Sequence, residues 1–144
     1  MKKLTTVLIL VVTFVACGNP SLRELGNGYF LTLNPMNDYS IAKPIEGVST
    51  NEAYSLIIYG DIASFDFDSR FIIVAEKPRD SVPGLKSLRY EECQRQFKIS
   101  NFRQYYILDK VSEQRYGPYK RNIFDAKRKE LNVSNSLNIE NNSR

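Results

Sequence analysis

Three carboxylates, Asp61, Asp66 and Asp68, form the group of side chains in this sequence that is best placed to perform chemistry. Paired carboxylates can serve as general acid and base in hydrolysis, or they can bind Ca²⁺. Asp61 and Asp68 flank predicted turns, however, and an Asp at a turn often accepts hydrogen bonds from the backbone. Turn formation is therefore the favoured interpretation, and a small hydrolase that uses these carboxylates is the alternative.

Histidine is absent from all 144 residues, which removes the side chain that most often acts as a general base or a metal ligand. The sequence also contains no glycine-rich phosphate loop and no nucleophile elbow. Tyr90, Cys93 and Phe97 recur at the spacing of one helix face, so Cys93 is predicted to be a small buried side chain. We therefore expect no enzymatic activity, no cofactor and no metal site.

The nine tyrosines and eight phenylalanines could instead form a binding surface for a protein or a glycan. Most of them alternate with other residues in predicted strands, where packing is the simpler explanation. Tyr105 and Tyr106 are adjacent in a strand and must point to opposite faces, while Tyr116 and Tyr119 flank a predicted turn. These four are the candidates for an exposed aromatic surface.

The N-terminus has the pattern of a secretion signal. Lys2 and Lys3 precede an apolar run over residues 4–16, which is too short for a permanent membrane span. The run ends in Phe14-Val15-Ala16-Cys17, which resembles the lipobox of bacterial lipoproteins. The resemblance implies cleavage between Ala16 and Cys17, acylation of Cys17 and attachment to a membrane through its acyl chains. A plain secretion signal cut after Ala16 is the alternative.

Gly18 stands where many lipoproteins retained at the inner membrane have Asp, so we expect the outer membrane. No acidic cluster follows Cys17, which favours the periplasmic leaflet over the cell surface. Removal of the signal lowers the formal net charge from +4, because Lys2 and Lys3 are lost with it. Nucleic acid is not an expected partner behind a secretion signal. Asp80-Ser81-Val82 matches a short O-glycosylation pattern of Bacteroidota, which makes Ser81 a candidate modification site.

The elements that must position these residues belong to one domain. Residues 1–16 are predicted to be the signal peptide, 17–27 the lipidated cysteine and a tether, 28–131 the domain and 132–144 a disordered polar tail. Strands are predicted at residues 29–33, 39–42, 54–59, 62–67, 71–75 and 104–110. A helix is predicted near 88–97, and a C-terminal helix is predicted to open at Gly117-Pro118.

The predicted fold class is α+β. An antiparallel meander of five to seven strands packs against the C-terminal helix, because the connections between strands are too short for parallel crossovers. The run from Phe71 to Ala75 is almost continuously apolar, and it is therefore predicted to be a central strand buried on both faces.

Several segments resemble a family of small uncharacterised lipoproteins from Bacteroidota and Bacillota. They are Glu24–Tyr29, Phe71–Val74, Tyr105–Asp109, Tyr116-Gly117-Pro118 and Phe124–Leu131. The resemblance implies a domain of unknown function, with no catalytic residue to transfer. We expect a lipid-anchored bacterial envelope protein with a binding or scaffolding role, and an inhibitor or immunity-type lipoprotein is a further alternative.

Overall fold

The computed structural model describes residues 23–35, 37–47 and 53–140, and this part of the chain contains eight strands and two α-helices. The predicted α+β class is confirmed. The strands form two antiparallel sheets of four strands each, in place of the one sheet of five to seven strands that the sequence suggests. Within each sheet, strands that are neighbours in sequence are also neighbours in space, so both sheets are meanders.

The first sheet contains β1 (Arg23–Gly26), β2 (Tyr29–Leu33), β3 (Tyr39–Pro44) and β4 (Tyr54–Ile58). The second sheet contains β5 (Asp61–Phe67), β6 (Phe71–Lys77), β7 (Gln104–Asp109) and β8 (Gln114–Tyr119). Two short 3-10 turns, Arg79–Ser81 and Leu85–Ser87, and helix α1 (Tyr90–Ile99) lie between β6 and β7. Helix α2 (Arg121–Glu130) follows β8.

Strand β6 is the centre of the fold. All seven of its residues are buried, and it pairs with β5 on one side and β7 on the other. Ile72 and Val74 belong to the first core, which also contains apolar residues of the first sheet. Phe71 and Ile73 belong to the second core, on the opposite face, together with residues of α2. The prediction of a central strand buried on both faces is confirmed.

The two cores define three layers: the first sheet, the second sheet, and α2 with the chain that follows it. The first core joins side chains of both sheets, namely Leu25, Tyr29, Leu31, Ile41, Ile58, Ile62, Phe65, Ile72, Val74 and Leu108. The second core joins the other face of the second sheet to Phe124, Val133, Leu137 and Ile139. The second sheet is therefore covered on both of its faces.

The prediction that Gly117-Pro118 opens the C-terminal helix is wrong. Both residues lie inside β8, joined by a cis peptide bond, and α2 begins at Arg121. Gly117 has a φ of +118°, and a Cβ at this position would lie 2.6 Å from the carbonyl oxygen of Tyr105. Only glycine accepts that backbone conformation and that close approach. The dipeptide thus serves the irregular pairing of β7 with β8, where the register shifts between Tyr105 and Ile107.

The domain is longer at both ends than predicted. Residues 23–26, predicted as part of the tether, form β1, and Leu25 is fully buried. Residues 132–140, predicted as part of a disordered tail, cover the second core through Val133, Leu137 and Ile139, each 4–6% exposed. The predictions for these segments are wrong because a few well-placed apolar side chains outweigh a polar composition. Residues 141–144 lie outside the described residues.

The C-terminal segment is also fixed by hydrogen bonds. The Arg128 guanidinium donates to the carbonyl oxygens of Ser134 and Leu137 at 3.0 and 2.8 Å. The backbone N–H of Asn138 donates to Asp66 Oδ2 at 2.7 Å. These contacts connect the segment both to α2 and to β5, so it is part of the folded domain.

We expect Leu137→Ala to lower the free energy of unfolding by about 3 kcal/mol, because it leaves a cavity in the second core. Urea denaturation of the purified full chain, followed by circular dichroism, measures the loss. Asn135→Ala is the matched control, since Asn135 is exposed in the same segment. Equal denaturation midpoints for Leu137→Ala and the control would contradict a packed C-terminal segment.

Candidate functional site

A cavity of about 550 Å³ lies between helix α1 and the two 3-10 turns, and we call it the α1 groove. It is lined by Arg79, Asp80, Leu85, Lys86, Tyr90, Cys93, Gln94 and Phe97. Leu85 and Phe97 are buried and Cys93 is half-buried, whereas Asp80, Lys86 and Tyr90 are exposed. The groove therefore has an apolar floor and a polar rim, which is the usual construction of a small-molecule site.

The local sequence explains why the chain turns twice before α1. Pro78 is extended and directly precedes the first 3-10 turn, and Gly84 precedes the second with a φ of +81°, a conformation that favours glycine. Helix α1 then has Glu91 and Glu92 in its first turn and Lys98 in its last. This order of charges complements the helix dipole, so it stabilises the helix that forms one wall of the groove.

Lys77, at the end of β6, attaches α1 to the second sheet. Its side chain is buried, and its Nζ donates to the carbonyl oxygens of Phe97 and Lys98 at 2.9 and 3.0 Å. Both carbonyls belong to the last turn of α1, where Phe97 O also accepts from the backbone N–H of Ser100 at 3.3 Å. The same ammonium lies 5.1 Å from the centre of the Phe97 ring. One buried cation thus fixes both the end of α1 and the floor of the groove.

Arg79 attaches the groove to the first sheet. Its Nε and Nη2 donate to the two carboxylate oxygens of Asp38, in the β2–β3 turn, at 3.0 and 3.2 Å. Its Nη1 donates to Gln94 Oε1 at 3.1 Å, and its guanidinium lies 4.6 Å from the centre of the Phe97 ring. The hydrogen bond to Asp38 raises the pKa of Arg79 further, so its charge is permanent. Arg79 is therefore a fixed wall of the groove.

The helix containing Cys93 is confirmed, but one residue of its predicted inner face is misplaced. Phe97 is buried and Cys93 packs beside it in a third apolar cluster with Val82 and Leu85. Tyr90 is 77% exposed instead of buried. It is the first residue of α1, where the helix extends past the cluster that it covers. Helical spacing predicts which residues share one face of α1, but it does not predict how far along the helix that face is covered by other side chains.

The structure assigns backbone roles to two of the three predicted carboxylates. Asp68 Oδ1 accepts hydrogen bonds from the backbone N–H groups of Arg70 and Phe71 at 2.8 and 2.7 Å, as expected of a turn residue. Asp66 accepts from the backbone N–H groups of Phe67 and Asn138. Asp61 lies at the other end of β5, where its charge acts on Arg79. Asp61 is thus separated from the other two along the strand.

The four candidate tyrosines do not form an exposed surface. All four are half-buried: Tyr105, Tyr116 and Tyr119 pack against the second core, and Tyr106 packs against the first. The opposite orientations predicted for Tyr105 and Tyr106 are confirmed. The prediction that these tyrosines are exposed is wrong. The second sheet is covered on both faces, so a tyrosine side chain of β7 or β8 packs against one of the two cores whichever face it lies on.

The remaining predicted sites lie at or beyond the limits of the described residues. Ala16 and Cys17 lie outside them. Ser81 lies in the first 3-10 turn. Within residues 23–35, 37–47 and 53–140, no helix is long and apolar enough to span a membrane. The same residues contain no group of three His, Cys, Asp or Glu side chains arranged to hold a metal ion.

Residues 26–143 match a protein family that is described as Protein of unknown function (DUF3997). The chain belongs to this family. The match begins at the last residue of β1 and covers β2 to β8, the α1 groove, α2 and the C-terminal segment, so it spans almost the whole domain. Among curated proteins and among solved structures, no significant match is found.

The DUF3997 domain also contains a buried acid outside the groove. Glu76 in β6 is 2% exposed, and among the described residues its Oε2 has no hydrogen-bond partner. The Tyr106 hydroxyl donates to the carboxylate, and burial raises the pKa of Glu76 despite this bond and the charge of Arg115. A Cβ on Gly60 would lie 1.8 Å from Glu76 Oε1, so a larger residue at position 60 would force the buried Glu76 side chain to move. Glu76 therefore occupies the junction where the chain passes from one sheet to the other.

The raised pKa of Glu76 predicts that the DUF3997 domain loses stability as the pH rises. In the unfolded chain a glutamate titrates near pH 4.3, at about its ordinary pKa. Above that pH, the folded state retains a proton that the unfolded state has released, until the folded pKa is also passed. The contribution of Glu76 to stability is therefore largest below about pH 4.3. It decreases as the pH rises from there through the raised pKa of Glu76 in the folded state.

Glu76→Gln should remove this part of the pH dependence, because the amide is neutral at every pH. Urea denaturation between pH 4 and pH 8 compares the variant with the wild type. Glu91→Gln, which alters an exposed acid, should keep the wild-type slope. An unchanged slope in Glu76→Gln would show that Glu76 ionises at its ordinary pKa.

Proposed function

We propose that this protein is a lipid-anchored bacterial envelope protein that binds its ligand in the α1 groove and does not catalyse a reaction. The observation that carries the proposal is the groove itself: a cavity with an apolar floor, a polar rim and walls fixed by an ion pair and hydrogen bonds. Fixed walls reduce the conformational entropy that a ligand must overcome on binding. The fixed walls of the groove therefore favour recognition of a ligand.

A binding role is supported by the chemistry of the side chains around the groove. Acid–base catalysis would need a group with a suitable pKa near the cavity, and histidine is absent from the sequence. The hydrolase alternative depends on the carboxylates of β5, and two of them, Asp66 and Asp68, accept hydrogen bonds from backbone N–H groups. Those oxygens hold the chain in place, so the carboxylates have a structural explanation.

The proposed anchor would hold the domain close to a membrane. Cys17 is separated from the first strand by residues 18–22, and an extended chain of this length reaches about 20 Å. Arg23, at the start of β1, lies 5.2 Å from the centre of the Phe65 ring. The edge of the domain formed by β1 and β5 would thus lie nearest to the lipid. Gly18 after the cysteine favours the outer membrane, and the lack of an acidic cluster after Cys17 favours its periplasmic leaflet.

Cys17→Ser tests the anchor. We expect the wild type to incorporate a clickable fatty-acid analogue and to sediment with membranes, and the variant to lose both properties, because the serine hydroxyl does not replace the acylated thiol. Cys93→Ser is the matched control and should keep both. If Cys17→Ser still carries the label, or if the wild type carries none, the protein is not anchored through Cys17.

Nuclear magnetic resonance tests binding in the groove. Isolated cell-wall sacculi digested to soluble fragments, outer-membrane lipids and a periplasmic small-molecule extract are added separately to the ¹⁵N-labelled full chain. We expect at least one of these fractions to shift amide signals of α1 and the two 3-10 turns, while β6 and β7 change little. Absence of shifts with all three fractions, or shifts confined to another surface, would overturn the α1 groove as the binding site.

A further inference from the structure

We propose that the α1 groove recognises an N-acetylated amino sugar of the bacterial envelope. This inference rests on the proposed function and names the class of its ligand. It combines three features of the groove that are independent of one another: an exposed aromatic ring at its edge, a rim with balanced charges, and an apolar floor of limited size.

Tyr90 supplies the aromatic ring. With 77% of its surface exposed, it is the most exposed large hydrophobic side chain among the described residues, and it lines the groove from the first turn of α1. A tyrosine ring presents a flat apolar face and a polar hydroxyl, so it suits a ligand that is apolar on one side and hydrated on the other. A pyranose ring has this character, because its C–H groups form an apolar face and its hydroxyls lie around the edge.

The charges at the rim balance, which favours a neutral ligand over a phosphate or a free acid. The guanidinium of Arg79 is neutralised by both oxygens of Asp38. Asp80 and Lys86 carry opposite charges, and both are exposed on the 3-10 turns. An anion would therefore find no uncompensated cluster of positive charge here.

The rim also offers both donors and acceptors of hydrogen bonds. Gln94 uses its Oε1 to accept from Arg79, and among the described residues its amide NH₂ has no partner. Asp80 supplies carboxylate oxygens as acceptors, and Lys86 supplies a flexible ammonium as a donor. Sugar hydroxyls both donate and accept, so a mixed rim satisfies them where a rim of one kind would not.

The floor accounts for the N-acetyl group. Leu85, Cys93 and Phe97 form an apolar base, which the hydroxyls of a plain hexose cannot cover without losing their hydrogen bonds to water. An acetamido methyl group can cover it, and its amide can remain at the polar rim beside Gln94. The cavity of about 550 Å³ is within the range of small-molecule sites and leaves space for the sugar ring above this methyl group.

A peptide is the main competing occupant, and the walls of the groove favour it less. Peptides in extended form bind by adding a strand to an exposed sheet edge, and their backbone groups then pair with that edge. The α1 groove is lined by side chains of a helix and of two 3-10 turns, and it is not at a sheet edge. Side-chain recognition of a compact polar ring fits this lining better.

Two trisaccharides test the inference directly. Triacetylchitotriose and cellotriose share the same β-1,4-linked backbone, and only the first carries acetamido groups. Each is titrated into the ¹⁵N-labelled full chain in a detergent without a sugar headgroup. We expect triacetylchitotriose to shift the signals of α1 and to bind at least tenfold more tightly than cellotriose, because only it covers the apolar floor.

Variants of surface residues test the assignment of roles. Tyr90→Ala should weaken binding of triacetylchitotriose at least tenfold, and Gln94→Ala should reduce its preference over cellotriose. Tyr59→Ala is the matched control, since Tyr59 is 54% exposed but does not line the groove. Tyr90 is mostly exposed, so its removal should leave the urea denaturation midpoint unchanged and a loss of binding can be assigned to the lost ring.

The outcomes separate this inference from the proposed function. Equal affinity for the two trisaccharides, or unchanged binding in Tyr90→Ala, overturns recognition of the acetamido sugar. If neither trisaccharide binds while outer-membrane lipids or the periplasmic extract, peptides included, shift the α1 signals, the sugar is wrong and the groove remains a binding site. If triacetylchitotriose binds, sedimentation with intact sacculi identifies the cell-wall glycan as the source, and binding only to isolated surface polysaccharide identifies that polymer.

Discussion

The complete burial of β6 is the constraint on which the rest of the structure depends. A strand buried on both faces must be covered by two layers, and neither layer can be omitted without exposing apolar surface to water. The first sheet covers Ile72 and Val74, and α2 with the C-terminal segment covers Phe71 and Ile73. This explains why short segments at both ends of the domain, β1 and residues 132–140, are recruited into it. Strand β1 completes the cover of the first core, and residues 132–140 complete the cover of the second.

Two buried lysines attach the peripheral parts of the chain to this central sheet. Lys77, at the end of β6, donates to the last carbonyls of α1. Lys110, directly after β7, donates to the carbonyl oxygens of Leu25 in β1 and Asp68 in the β5–β6 turn at 2.6 and 2.5 Å. Burial lowers the pKa of Lys110, and the carbonyl oxygens compensate part of that desolvation. An ammonium has three donors, so one side chain can satisfy carbonyls from separate elements that no strand or helix would pair.

The sequence predicts the elements of this fold better than their assembly, and the reason lies in which interactions are local. The apolar run of β6 and the helical spacing of Cys93 and Phe97 are local patterns, and both elements form where they are expected. The division into two sheets is not local: it depends on the absence of pairing between β4 and β5, on either side of Gly60. Gly117 likewise serves a close approach to the carbonyl oxygen of Tyr105 in the paired strand β7, and the Gly117-Pro118 dipeptide read by itself does not reveal this contact between strands.

The candidate site escapes prediction for the same reason, because a long-range contact creates it. Asp38 and Arg79 are far apart in sequence, and their pairing joins the first 3-10 turn to the β2–β3 turn of the first sheet. The segment from Arg79 to Ile99 also has a small apolar cluster of its own, separate from the two main cores. Three contacts add to the small amount of apolar packing in this cluster. They are the ion pair of Arg79 with Asp38, the hydrogen bonds of the Lys77 ammonium, and the contacts of both cations with the Phe97 ring. These contacts fix the walls of the groove, and Tyr90 at its edge is 77% exposed.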